Sequence, residues 1–291
     1  MEKISSYIAT GLRHVIEAYE KKESLTEIRM RIGKPLIINT VYGEIMPEEY
    51  GKQIIVTARD IRETMEYVSS YSLYAYEDDI KNGYITMPGG NRVGVCGKTV
   101  CENGLVKTIR NISCINIRAA HEIIGCGREP LKYIMDENGQ IMHTLIASAP
   151  GCGKTTILRD IVRLVSDGGK TVAVADERSE IAACNLGIPQ NDVGIRTDVL
   201  DGCPKSSGMM MLIRSMKPDV IAVDEIGGQS DIDALNYVIN CGCRIIATAH
   251  ATSYEELEKK NLASLFNRII ILKCGHRGVI HKVYNSEGVA I

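Results

Sequence analysis

The chain has no tryptophan and a single phenylalanine among its 291 residues. Proteins that hold single-stranded nucleic acid combine a basic groove with aromatic side chains on which bases stack. No basic, aromatic-bearing loop is visible here, and the formal net charge is -2. Nucleic acid is therefore not an expected partner. Long apolar runs are also missing: none approaches the roughly 20 residues of a membrane-spanning helix. The opening residues, M-E-K-I-S-S-Y-I, lack the apolar core and small-residue cleavage site of a secretory signal. Ten cysteines are present but none forms C-x-x-C. The nearest approaches to metal spacing, Cys241/Cys243 and Cys274/His276, have no second half at finger-like distance. Reduced thiols in a cytoplasmic protein are the expectation. No N-K-x-D or T-K-x-D follows the acidic strand described below, which disfavours a GTPase. No arginine-rich lid segment follows the core, which disfavours a small-molecule kinase.

What remains is an ordinary globular composition, 45% hydrophobic and 24% charged, enough for one large domain or two ordinary ones. Ile8, Leu12, Val15, Ile16 and Tyr19 predict one helix over residues 5–20. Leu36-Ile37-Ile38 and residues 53–56 predict short strands. Thr57 caps a helix from about Ala58 to Ser69. From Tyr84 the pattern turns to hairpins, with turns at Pro88–Asn91 and Asn103-Gly104. A basic stretch around Lys21, Lys22, Arg29, Arg31 and Lys34 reads as a solvated face. The first part of the chain is thus α+β with an antiparallel sheet, residues 1–128, ending at a glycine-rich linker over Gly125–Pro130. Residues 129–291 alternate helices and strands, which implies a parallel sheet covered on both faces. Ser253 and Glu256 predict a capping box, and the tail predicts a closing hairpin.

The strongest signal is Ser148–Thr156, S-A-P-G-C-G-K-T-T, directly after the apolar run Leu145-Ile146-Ala147. Glycines let backbone N–H groups converge on an anion, the helix start adds partial positive charge, and a lysine adds a full one. The loop Ala149, Pro150, Gly151, Cys152, Gly153, Lys154, Thr155 and Thr156 is therefore the expected phosphate cradle, with Lys154 on the β- and γ-phosphates of ATP. Thr155 is expected to supply a hydroxyl to Mg²⁺. Ser148 stands where the full pattern has its first glycine.

Three further strand ends complete the constellation. Asp219–Val223 is apolar after its first residue and leads into Asp224-Glu225. Ligand sites in open α/β sheets lie at strand carboxyl ends. Asp224 suits the magnesium shell, and Glu225 suits activation of the attacking water. Thr248 and His250 close another apolar strand, where either can sense the γ-phosphate or order the water. Asp176-Glu177-Arg178-Ser179-Glu180 follows a third. Its carboxylates, Glu177 among them, either lie near the metal and water or form an acidic helix start.

These segments resemble the secretion ATPase superfamily, and within it the sporulation branch. The resemblance rests on P-G-C-G-K-T-T, D-E-R-S-E-I, K-P-D-V-I-A-V-D-E-I-G-G and A-T-A-H-A-T. It extends to E-I-R-M-R-I-G-K-P-L at Glu27–Leu36, G-G-N-R-V-G-V-C-G-K at Gly89–Lys98 and I-N-I-R at Ile115–Arg118. It implies a RecA-like P-loop ATPase core behind a smaller α+β N-terminal domain, working as a ring, expected to be a hexamer. Lys154 and Thr155 match Walker A, and Asp224 and Glu225 match Walker B. Asp176, Glu177 and Glu180 match an acidic box, and His250 a histidine box. Rings of this kind complete each site with arginines of a neighbouring subunit, for which Arg92, Arg110 and Arg118 are the candidates. The resemblance also implies a mother-cell cytoplasmic location, docked on inner-membrane proteins of a secretion-like sporulation complex. A nucleic-acid-dependent ring translocase is the alternative that the same core allows.

Overall fold

In Leu25–Arg31 (β1) polar and apolar residues alternate from Glu27 onward, so Ile28 and Met30 are buried while Glu27, Arg29 and Arg31 stay on the open face. The computed structural model describes residues 3–20, 24–120 and 122–291. Among these the chain forms two units, one ending ahead of Glu122 and one running from Glu122 to Ile291. Lys21 and Lys22 of the basic stretch lie outside the described residues. Among the described residues, no helix is long and apolar enough to cross a membrane.

In the first unit β1 joins β2 (Ile37–Thr40) and β3 (Gly43–Ile45); Glu48–Glu49 (β4) and Lys52–Gln53 (β5) form a separate small hairpin. Tyr84–Thr86 (β6), Arg92–Glu102 (β7) and Leu105–Arg118 (β8) complete an antiparallel sheet in the order β3-β2-β1-β8-β7-β6. Asn103 and Gly104, with φ of 52° and 78°, supply the two left-handed residues of the β7–β8 turn. Helices Arg13–Glu20 (α1), Ala58–Val68 (α2) and Glu77–Lys81 (α3) bury Ile16, Ile61, Met65 and Ile80 in one core with Ile28, Val93 and Ile117. A capping box starts α2: Thr57 Oγ1 accepts from the Asp60 N–H, and the Asp60 carboxylate accepts from the Thr57 N–H.

Two local expectations are corrected here. Residues 5–20 are not one helix: two short 3₁₀ turns precede α1, and Ile8 is extended between them. The Ala9 N–H donates to Thr64 Oγ1 of α2 at 3.0 Å, so a tertiary partner takes a donor that a continuous helix would have used internally. Residues 53–56 do not form a strand of their own. Ile55 makes an isolated bridge with Pro35, flanked by bonds from the Leu36 N–H to the Ile54 carbonyl and from the Val56 N–H to the Lys34 carbonyl.

The second unit contains α4 (Arg128–Ile134), β9 (Thr144–Ser148), α5 (Lys154–Asp167), β10 (Val172–Asp176), β11 (Thr197–Asp201) and α6 (Lys205–Met216). It continues with β12 (Val220–Val223), α7 (Gln229–Asn240), β13 (Arg244–His250), α8 (Tyr254–Lys259), β14 (Arg268–Leu272) and β15 (Ile280–Asn285). The sheet order is β11-β10-β12-β13-β9-β14-β15, parallel except for β15. Central strands β9, β10 and β12 are buried throughout, because α6 and α7 cover one face and α4 and α5 the other.

The expected linker is part of this unit. The Gly127 N–H donates to Asp160 Oδ2 of α5 at 2.7 Å, and a Cβ at Gly127 would come within 2.9 Å of Ile161 N. The division between units accordingly falls upstream of the expected 128/129 boundary. The capping box at α8 is also incomplete: Ser253 accepts from the Glu256 N–H, but the Glu256 carboxylate turns to the N–H and hydroxyl of Thr252.

Candidate functional site

The turn between β9 and α5 needs left-handed backbone at Gly151 (φ 77°) and Gly153 (φ 95°), which glycine adopts without a Cβ penalty. Ser148 is fully buried and not left-handed, so this position requires no glycine. Its hydroxyl donates to the Ala149 carbonyl at 2.8 Å. Cys152 is buried, with its Sγ 3.9 Å from the Pro150 carbonyl. Thr156, half-buried on α5, turns its carbonyl to Cys126 Sγ at 3.6 Å.

Lys154 opens α5 and is 5% exposed. Its ammonium donates to the carbonyls of Ser148 and Ala149 at 3.1 and 3.3 Å and to His250 Nδ1 at 3.1 Å; the Ser148 hydroxyl is 3.5 Å away. None of these partners is a carboxylate. Burial pushes the lysine pKa down, against the pull of the Asp224 and Glu225 charges. A buried ammonium served only by neutral groups is suited to receive an anion.

Asp224 directly follows β12. It accepts from the Thr155 hydroxyl at 2.6 Å and, through its other oxygen, from Thr248. Thr248 is fully buried on β13, and its Oγ1 also accepts from the Glu225 N–H at 2.9 Å. Glu225 has a left-handed backbone, φ 53°, a conformation that costs roughly 1 kcal/mol or more for a residue with a Cβ. Thr248 holds its N–H, and Lys205 Nζ donates to its carbonyl at 3.0 Å. The strained residue is thus fixed from two sides.

The Glu225 carboxylate also has two partners. His250 Nε2 lies 2.9 Å from Oε1, and Arg178 Nη1 donates to Oε2 at 2.9 Å. An ammonium can only donate, so His250 Nδ1 accepts from Lys154 and Nε2 carries the proton given to Glu225. Sheet order brings these groups together: β12, β13 and β9 are consecutive neighbours, and each ends beside the next.

The acidic segment after β10 is held from beneath. Asp176, 2% exposed, accepts the N–H groups of Glu180, Ile181 and Ala182. Burial pushes its carboxyl up to about 6 despite those bonds, with the Asp201 charge adding to the rise. Arg159 of α5 donates to the carbonyls of Ile181 and Glu180 at 2.6 and 2.7 Å. Glu177 pairs with Lys205 at 3.0 Å and lines a small pocket together with Asp224 and Glu225.

The structure therefore gathers Lys154, Thr155, Asp224, Glu225, Thr248 and His250. Arg92, Arg110 and Arg118 belong to the other unit. Arg92 and Arg118 face each other across β7 and β8, with Arg92 stacked 4.3 Å from the Tyr84 ring centroid; Arg110 is exposed opposite Lys98. Sequence reasoning missed Arg178, Arg159 and Lys205. Arg178 stands inside the segment D-E-R-S-E-I, whereas Lys205 opens α6, which no local sequence signal places.

The fold is that of secretion ATPases, a RecA-like core behind an N-terminal domain. The Legionella pneumophila ATPase DotB superposes with a TM-score of 0.57 at 14% identity, over 94% of this chain and 80% of that one. The pilus retraction motor PilT, solved with bound ADP, gives 0.60 at 12% identity, over 89% and 77%. In sequence, the chain is 37% identical to Stage III sporulation protein AA of Bacillus subtilis (strain 168), over 99% of this chain and 96% of that protein. Residues 1–291 match the family described as "Sporulation stage III, protein AA", and the chain belongs to that family.

Proposed function

We propose that this chain hydrolyses Mg·ATP as a ring-forming motor for a sporulation-specific transport complex. The observation that carries the reading is the Lys154–His250–Glu225 chain beside the Thr155–Asp224–Thr248 cluster. On this reading Lys154 is the phosphate-seeking cation, Thr155 and Asp224 are the metal-binding pair and Glu225 is the general base, all beside the ends of three adjacent strands. The buried, carboxylate-free ammonium of Lys154 fits a polyphosphate, and the Thr155 hydroxyl with the Asp224 carboxylate fits magnesium. Bound magnesium neutralises phosphate charge and orients the γ-phosphoryl group.

The protein groups do the rest. Lys154 exchanges the Ser148 and Ala149 carbonyls for phosphate oxygens, which releases His250 Nδ1. Glu225 takes a proton from water as the water oxygen bonds to the γ-phosphorus and the bond to the β–γ bridging oxygen breaks. His250, donating through Nε2, holds the Glu225 carboxylate in place. Thr248 couples Asp224 to the Glu225 backbone, so metal binding and base position are linked through one hydroxyl.

In the ring, expected to be a hexamer, Arg92, Arg110 and Arg118 of a neighbouring copy complete each site. The ring works in the mother-cell cytoplasm, docked on inner-membrane proteins of the complex that reaches the forespore. The test is ATPase rate against protein concentration, with mass measured with and without ATP. Specific activity that rises with a ring-sized species is expected. Full activity in a monomer would remove the need for a neighbour's arginines, and no turnover in an assembled ring would remove the motor.

A further inference from the structure

The loop between β14 and β15 lies against the phosphate turn. The Gly278 N–H donates to the Cys152 carbonyl at 2.9 Å, and a Cβ on Gly153 would come within 3.3 Å of Gly278 N. Gly153 and Gly278 both have left-handed backbone, so this approach depends on two glycines meeting. The same loop carries Lys273, His276 and Arg277, all exposed. Among the described residues, none of the three side chains makes a hydrogen bond or ion pair. Two permanent cations and a histidine thus stand within five positions, with no carboxylate to neutralise them.

Sheet order gives this loop a direction. Asp224, Glu225 and His250 follow or end β12 and β13, on one side of β9, whereas β14 and β15 lie on the other. A nucleotide whose γ-phosphate meets Lys154, Glu225 and His250 extends its α-phosphate and ribose toward the opposite side. The geometry points to the β14–β15 loop as a second, cis binding element, with Arg277 and Lys273 holding the α-phosphate and ribose end of a nucleoside di- or triphosphate. The inference rests on the ATP-site reading above.

The test uses the full chain and compares Arg277→Ala, Lys273→Ala, the double variant and Arg277→Lys. ADP and ATP affinities are measured by calorimetry, and KM and kcat by phosphate release. Each alanine is expected to weaken ADP and ATP about three- to tenfold and equally, the scale of an exposed charge-assisted contact. KM should rise with it, kcat should stay within about twofold, and Arg277→Lys should recover part of the loss. Unchanged affinity in the double variant would overturn the assignment while leaving the ATP site intact. A loss confined to ATP would overturn it by placing the loop at the γ-phosphate. Unchanged nucleotide affinity with lost binding to anionic vesicles would assign the cations to a membrane surface instead. Failure of the unaltered chain to bind ADP or ATP would remove the ATP-site reading and this inference with it.

Discussion

His250 bridges Lys154 and Glu225: its Nδ1 lies 3.1 Å from the ammonium and its Nε2 lies 2.9 Å from the carboxylate. One neutral imidazole separates a buried cation from an anion that would otherwise attract it directly. On the proposed function, a Lys154 that turns to phosphate would leave His250 with Glu225 alone. Occupancy of the turn between β9 and α5 would on that reading be felt at Glu225 through the side chain of His250.

Lys154→Ala should weaken ATP binding by about a hundredfold or more, because several charge-assisted bonds to phosphate are lost together. Burial disfavours the lysine's charged form, so the melting temperature without nucleotide should not fall. Calorimetric titration and a thermal melt check both statements. Normal turnover in this variant would sink the site.

Glu225→Gln should keep ATP bound and lower turnover by about 10²- to 10⁴-fold, the range for loss of a general base. Single-turnover measurement with quantified bound ATP is the check. Hydrolysis at the normal rate would show that another group activates the water.

Asp224→Ala should raise the magnesium concentration needed for half-maximal activity by about tenfold or more, the scale of removing a group that holds the metal or orients one of its ligands. Chelation should abolish turnover in the unaltered chain. An unchanged magnesium titration would separate Asp224 from the metal.

Thr248→Val should destabilise the second unit by about 1–3 kcal/mol, since the Glu225 N–H and one Asp224 oxygen lose a buried partner. Differential scanning calorimetry should show a fall of a few degrees. No change in melting would mean that the bond network does not hold the left-handed Glu225.

Asp176 makes stability depend on pH. Its folded pKa is about 6, above the ordinary 3.8. Between those values the folded state binds more protons than the unfolded state. The Asp176 contribution is therefore complete below about 3.8 and is lost as pH rises through about 6, amounting to about 3 kcal/mol for a shift near two units. Denaturant titrations from pH 4 to 7 should show a steeper loss of stability in the unaltered chain than in Asp176→Asn. Parallel pH profiles would rule the contribution out.

Much of the second unit was legible in the sequence because its signals are local. Ile157, Leu158, Ile161 and Val165 recur at helical spacing and form the buried face of α5. The apolar run Val220–Val223 is a strand buried on both faces. The strand β11 was not legible: it sits at the sheet edge and is half-buried at every position, so neither alternation nor a continuous apolar run marks it. Without β11, α6 and its Lys205 had no place.

The sequence alone determined the phosphate turn, the acidic end of β12 and the polar end of β13, because glycine conformation, apolar runs and strand-end carboxylates are written in neighbouring residues. Only the tertiary structure decided their partners. Arg178 reaches Glu225 from 47 positions away, His250 reaches Lys154 from 96, and the β14–β15 loop returns to Cys152. Those meetings depend on the sheet order, and that order is set by which apolar faces pack together, which no local pattern specifies.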